Sequence, residues 1–353
     1  MNKTFDLQTL VRTNIRDLKP YRSARDDFDS GILLDANENS YGAPYANDLE
    51  LHRYPMPYQE ALRAKIADYR GIDASEVFVG VGSDEAIDLL FRIFCTPRKD
   101  RILINPPTYG MYKVSANIND VAIDEVLLTE DFQLQTEKIL EAVTPNTKII
   151  FICSPNNPTA NDIAIPDIQF ILESFDGIVV VDEAYIDFSQ QGSLATELKN
   201  YPNLVVLQTL SKAFGLAGIR LGVALANTEI IAYMMKVKAP YNVNKLTSKA
   251  ALQAFDALDS VQEHIISIID DRQRIMSSLA SMKGVLKVYP SNANFFIFKV
   301  NDALNVYQKL ADKGVIIRYR GNEPLCDNCL RLTIGTENEN NAFLKALTEV
   351  LEE

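Results

Sequence analysis

Short apolar runs, each followed by a helical pattern, constrain the fold of this chain more than any other feature. They are VFVGV (77–81), RILIN (101–105), KIIFIC (148–153), IVVVD (178–182), NLVVLQT (203–209) and LGVALA (221–226). Between them come stretches such as DEAIDLLFRIF, whose apolar residues recur at i, i+3, i+4 and i+7, as on one face of a helix. Strands alternating with helices predict a mostly parallel, helix-covered sheet, an α/β architecture. From about residue 246 the pattern changes. A long helical run leads to VLKVY, NFFIFKV, VIIRY and LRLTIG, which alternate with two helices and predict a smaller α+β domain. The expected division is a polar, irregular N-terminal segment 1–45 that joins the smaller domain, a large domain 46–245 and a small domain 246–353.

At 353 residues, 47% hydrophobic and 23% charged, the chain has the make-up of a soluble globular protein with one large or two unequal domains. Its net charge of −12 argues against a general nucleic-acid or anionic-membrane surface. Any anionic ligand must therefore be held by a local cluster of donors. Four cysteines make no disulfide framework at this length. The start, MNKTFDLQTLVRTNIRDLKP, lacks an apolar stretch of signal-peptide type, and no membrane-spanning run follows. The expected compartment is the reducing cytoplasm. Only His52 and His264 are present, and Cys326-x-x-Cys329 has no partner pair, so no metal site is expected.

The chemistry concentrates in a few segments. TLSKAFGLAGIRLG (209–222) sets Ser211, Lys212 and Arg220 in a glycine-bearing loop between two strand runs. A lysine that forms a Schiff base must sit at the end of a rigid element, partly desolvated, which lowers its pKa. The hydroxyl of Ser211 and the planar donor fork of Arg220 can both turn toward one phosphate. In VVVDEAYIDF (179–188), Asp182 ends an apolar strand at the carboxyl edge, where α/β ligand sites lie. A carboxylate there suits a protonated pyridine nitrogen, and Tyr185 is near enough to reach the ring's phenolic oxygen. An ATPase strand looks similar, but no GxxxxGK[ST] loop accompanies this one.

FVGVGSDEAIDLLF (78–91) predicts Ser83 and Asp84 at the N-cap and first turn of a helix, with free amides facing an anion. SPNNPTAN (154–161) offers the amide of Asn157 at a strand's carboxyl end. In PPTYGMY (106–112), Tyr109 opens a helix and can stack on a cofactor ring. Arg318 in VIIRYR and Arg331 in CDNCLRLTIG fall within strand runs, where arginine is seldom placed for packing; together they can grip an anion. Alone, each segment has a plainer reading: a surface lysine, a capped turn, a polar loop, a core aromatic or an ion pair.

In this order, and with NIRDLKPY, LDANEN and RYP, the segments resemble those of the fold-type I pyridoxal-phosphate aminotransferases, most closely the histidinol-phosphate aminotransferases, over nearly the whole chain. The resemblance implies a large domain built on a mostly parallel seven-stranded sheet, plus the smaller α+β domain. It implies that Lys212 is the Schiff-base lysine and proton carrier, and that Asp182 pairs with the pyridine nitrogen of pyridoxal phosphate. Tyr185 and Asn157 would contact the phenolic oxygen, and Tyr109 would stack on the ring. Ser83, Asp84, Ser211 and Arg220 would hold the cofactor phosphate. Tyr54, in RYP, would reach the cofactor phosphate of a neighbouring subunit in a homodimer with shared sites. Tyr21, Asn157, Arg318 and Arg331 would clamp the substrate's anion. That anion is the phosphate of histidinol phosphate in one half-reaction and a carboxylate of glutamate or 2-oxoglutarate in the other.

This chain departs from the family pattern at two positions, with Ser40 in place of proline after LDANEN and Ala160 in place of glycine after NPT. The second matters if that position needs φ > 0. The same scaffold also hosts aromatic or broad-range aminotransferases, phosphothreonine-type decarboxylases and non-catalytic regulators, and these stay open as alternatives.

Overall fold

A computed structural model describes residues 5–28, 30–45 and 48–353; residue 46, the expected start of the large domain, lies outside the described residues. The six apolar runs become strands β1 (Val77–Val81), β2 (Arg101–Ile104), β4 (Thr147–Cys153), β5 (Ile178–Asp182), β6 (Leu204–Thr209) and β7 (Leu221–Ala226), and Ala122–Glu125 adds β3. They form one sheet in the order β1-β7-β6-β5-β4-β2-β3. Strands β2 to β6 pair in parallel. The last strand, β7, inserts antiparallel between β1 and β6.

The pleat explains why these strands read as apolar throughout. In β5, Val179 and Val181 face one core while Ile178 and Val180 face the other, so neither side meets water. Helices close both faces. The helix Gly82–Phe94 buries Ile87, Leu90, Phe91 and Phe94 completely. Burying each such side chain contributes roughly 1.5–3 kcal/mol.

Strand β3 escaped the sequence reading because it is a short edge strand with exposed ends and two acidic residues. Asp124 pairs with Arg101 at 2.5 Å and Glu125 with Lys113 at 2.8 Å, so charge rather than apolar alternation marks it.

Four further strands, β8 (Val285–Val288), β9 (Phe295–Val300), β10 (Arg318–Tyr319) and β11 (Cys329–Thr333), form a smaller antiparallel sheet in the order β10-β11-β9-β8. Only two residues of VIIRY are strand. Phe296, Phe298, Leu330 and Leu332 pack there against Ile275 and Leu279 of the helix Leu258–Ala280 and against Phe343 and Leu347 of the helix Glu337–Glu352. The N-terminal residues pack elsewhere than expected. Leu7, Val11 and Ile15 join the core beneath the large sheet rather than that of the smaller one, and the amide of Arg12 donates to the carbonyl of Ile93 at 2.9 Å. Three apolar residues at near-helical spacing supply that contact, which the polar look of the segment obscured. Among the described residues no helix is long and apolar enough to cross a membrane.

One close approach fixes the sheet's edge at the site. At the start of β7, a Cβ on Gly222 would collide with the carbonyl carbon of Gly82 and the amide nitrogen of Ser83. Backbone cannot give way there as a flexible side chain can. Gly222→Ala is therefore expected to destabilise the fold by about 3 kcal/mol or more, read as a fall in Tm in a thermal melt. An unchanged Tm would show that the turn yields.

Candidate active site

Loops at one edge of the large sheet converge on a cavity of about 460 Å³. It opens at the carboxyl ends of β1, β4, β5 and β6, and the smaller sheet covers it with residues from β10, β11 and the turn between them. Every candidate from the sequence lines it except Tyr21 and Tyr54.

Asp182 closes the floor. It is buried at the end of β5, where Oδ2 accepts from the Tyr112 hydroxyl at 2.7 Å and Oδ1 from the Ala184 amide at 3.1 Å. Burial pushes its carboxyl pKa up to about 6, against the pull of these two donors. Both donors are neutral. The carboxylate is thus held by neutral donors, with Lys212 as a more distant cation, and a cationic N–H facing it directly would be a favourable partner.

Lys212 follows β6 by three residues and is half-buried. Its Nζ lies 5.5 Å from the centre of the Tyr185 ring. Burial, then the positive charge of Arg331, lowers its pKa, and Asp182 opposes them. The shift is toward the neutral amine, the nucleophilic form.

One end of the cavity is built for an anion. The helix Gly82–Phe94 begins there, so the amides of Ser83 and Asp84 have no partner within the helix. The Gly82 amide is taken by the carbonyl of Arg220 at 2.8 Å. Gly82 itself has φ +72°, and a Cβ on it would meet Nη2 of Arg220 at 2.8 Å. The Asp84 carboxylate is turned aside, accepting from Tyr109 Oη at 3.2 Å and from Arg220 Nη2 at 3.4 Å, which leaves its amide to the anion. Ser211 Oγ, 2.9 Å from Thr209 Oγ1, completes this end. The sequence reading is corrected in one detail: Val81 is the N-cap and Ser83 lies in the first turn. A glycine with φ > 0 lets the helix start two residues early.

The opposite end is cationic. Register pairs Arg318 of β10 directly with Arg331 of β11. Arg331 Nη1 donates to Asn157 Oδ1 at 2.6 Å, which leaves Asn157 Nδ2 facing Tyr185 Oη at 3.5 Å. Burial and the neighbouring Arg320 bring the Arg331 pKa down to about 10. Ala160 adopts φ +68°, as the glycine of the family pattern implied, and its buried methyl packs in the cluster of Tyr185, Ala213 and Phe295. That packing offsets part of the cost of a left-handed alanine. Tyr109 precedes rather than opens its helix, Met111–Ile118, which starts after Gly110.

Tyr54 stacks on Tyr241 at 4.4 Å between ring centres, away from the cavity, and Tyr21 is 73% exposed. Tyr112, Arg320 and Glu323 were missed. Their positions carried little signal: Tyr112 reads as a core aromatic of the helix Met111–Ile118, and Arg320 lies just past the two-residue strand β10.

The sequence model of the aminotransferases of class I and II matches residues 31–347. The chain belongs to that family. Curated relatives of this aminotransferase include the histidinol-phosphate aminotransferases of Flavobacterium johnsoniae, 52% identical over 98% of both chains, and of Christiangramia forsetii, 47% identical over 99% of both. The crystal structure of the histidinol-phosphate aminotransferase from Clostridium acetobutylicum superposes with a TM-score of 0.79 at 26% identity, covering 86% of this chain and 91% of that one. The L-threonine-O-3-phosphate decarboxylase of Porphyromonas gingivalis shares the fold at TM-score 0.73 and 24% identity, covering 86% of this aminotransferase and 92% of that chain. The fold alone does not choose the reaction.

Proposed function

We propose that this aminotransferase converts histidinol phosphate and 2-oxoglutarate to imidazole-acetol phosphate and glutamate, reversibly, with pyridoxal phosphate held on Lys212. The observation that carries the substrate assignment is the second anion-binding end of the cavity, where Arg318 and Arg331 face each other across β10 and β11. One anion-binding end suits the cofactor's phosphate; the other suits a substrate that brings its own. Relatives at up to 52% identity along almost the full length support the same assignment.

The residues fit the cofactor. The amides of Ser83 and Asp84, with Ser211 and Arg220, would hold its phosphate, and Asp182 would face its pyridine nitrogen. When bound, pyridoxal phosphate supplies an electron sink for the charge left at the substrate's Cα. Asp182 keeps a proton on the ring nitrogen, a pairing made strong by the desolvated site. Lys212, its pKa lowered by burial, would take the proton from the substrate's Cα and give it to the cofactor's carbon on the other side of the shared nitrogen. Tyr185 and Asn157 orient the phenolic oxygen, while Tyr109 covers the ring. Arg318 and Arg331 hold the substrate anion. The smaller sheet, laid over the cavity, limits water at the reacting carbon.

The same reading gives a homodimer with shared sites, in which Tyr54 would reach the neighbouring subunit's cofactor phosphate and Tyr21 would join Arg318 and Arg331 at the substrate's anion. In its support, the segment around these tyrosines exposes large apolar side chains, Ile32 at 92% and Leu34 at 79%, an unusual surface for a lone chain. A cytoplasmic setting suits four cysteines that are all free and buried.

The test is a substrate panel with 2-oxoglutarate as acceptor. Histidinol phosphate is expected to exceed phenylalanine in kcat/KM by at least about 100-fold, because phenylalanine offers the arginines one singly charged carboxylate in place of a phosphate. A preference for phenylalanine, or carbon dioxide released from phosphothreonine, would overturn the assignment.

A further inference from the structure

The cationic end of the cavity holds one arginine more than the clamp read from sequence, and it comes with a carboxylate. Arg318 stands opposite Arg331, and the ladder continues as the Arg320 amide donates to the carbonyl of Cys329 at 2.9 Å. Residues two apart on a strand share a face, so Arg320 projects on the side of Arg318. All three guanidinium groups line the cavity, as does Glu323. Glu323 is fixed by the turn, its amide donating to the Arg320 carbonyl at 3.0 Å. Its Oε1 lies 3.8 Å from Arg320 Nη1, at the outer limit of an ion pair, with the two side chains 31% and 22% exposed. The Nε atoms of Arg320 and Arg331 are both buried without a hydrogen-bond partner.

This arrangement is unfinished as a structural ion pair. Three cations stand together, burial and then their mutual repulsion lower the pKa values of Arg320 and Arg331, and the single carboxylate engages only one of them loosely. A phosphate monoester carries about −1.5 to −2 charges at neutral pH, whereas a carboxylate carries one. The two half-reactions thus present different charges to the same arginines. With Arg320 neutralised by Glu323, the remaining pair suits the smaller charge; with Arg320 free, the patch suits the larger.

We propose that Arg320 and Glu323 set which anion the cavity takes: Arg320 leaves Glu323 for a phosphate dianion and stays with it for a carboxylate. The inference rests on the substrate reading above and assigns both residues as determinants of specificity.

The experiment measures kcat and KM of the cofactor-loaded protein with histidinol phosphate and with glutamate as amino donors. Arg320→Gln is expected to lower kcat/KM for histidinol phosphate about 10-fold more than for glutamate, the difference entering through KM, as loss of one charge-assisted hydrogen bond requires. Glu323→Gln shifts the ratio the other way, toward histidinol phosphate, because Arg320 is then free without first leaving a carboxylate and the patch suits the larger charge. Arg320→Lys recovers part of the phosphate preference, since it keeps the charge without the donor fork. A pair that merely braces Arg331 moves both donors by the same factor in every variant, and that result overturns the proposal. Failure of the substrate reading looks different: the wild-type protein itself does not turn over histidinol phosphate. Inhibition by inorganic phosphate and by succinate, followed with whichever donor the wild type accepts, then decides. Arg320→Gln must weaken phosphate inhibition more than succinate inhibition, or the pair has no such role.

Discussion

Lys212→Ala abolishes the yellow absorbance of the cofactor-loaded protein near the visible edge and lowers transamination by at least about 1000-fold. The size follows from two losses at one position. The variant lacks the amine that bonds the cofactor, and it lacks the base that moves the proton at Cα. Among the described residues no second lysine lines the cavity to replace it. The folded state barely changes, because Lys212 is only half-buried and its Nζ lies 5.5 Å from the centre of the Tyr185 ring. The check is an absorbance spectrum beside a transamination assay, with a thermal melt to show that folding is intact. A variant that kept both the band and the rate would remove Lys212 from the mechanism.

Asp182→Asn is the second large effect, and it acts in opposite directions on activity and stability. Transamination falls by about 100- to 1000-fold, because the amide carries no charge to hold a proton on the ring nitrogen. Stability without cofactor rises. The Asp182 carboxyl titrates near 3.8 in an unfolded chain and at about 6 in the folded one. Below pH 3.8 both states hold the proton and the residue is neutral toward folding. Between the two values the unfolded chain releases the proton while the folded chain keeps it, so stability falls as pH rises. Above pH 6 the penalty is complete, of order 3 kcal/mol. Asparagine keeps the size of the side chain and never ionises. Stripped of cofactor, the variant should therefore melt at a higher temperature than wild type, by a margin that widens from pH 4 to pH 7. Equal margins at both ends would mean that Asp182 pays no burial penalty.

The strands that make the floor of the site were legible in the sequence because burial on both faces leaves them apolar from end to end. IVVVD could be placed to the residue, and with it Asp182. Lys212, Arg220 and Asn157 followed, since loops after such strands meet at one edge of a parallel sheet. Tyr112 was not legible. It lies in a helix whose pattern calls for a core aromatic, and only the bond to Asp182 makes it part of the site. Arg320 and Glu323 hid for a different reason. Strand β10 is two residues long, too short for an alternating pattern to show which side chains share a face. Tyr21 and Tyr54 were read from resemblance to the family, and a single chain places neither in the cavity.

The packing of Gly222 against Gly82 and Ser83 also sets an order in time. Strand β7 is the last of the large sheet to leave the ribosome, yet it belongs between the first strand and the sixth. Until it slots in, the turn at Gly82 has no carbonyl from Arg220 to fix its amide, and nothing aims the amides that follow. A nascent chain that ends before residue 222 contains Asp182, Lys212 and the helix at Gly82, but not the finished cradle. Cofactor capture therefore waits on closure of the sheet, and the substrate end waits longer still, for Arg331 more than a hundred residues downstream.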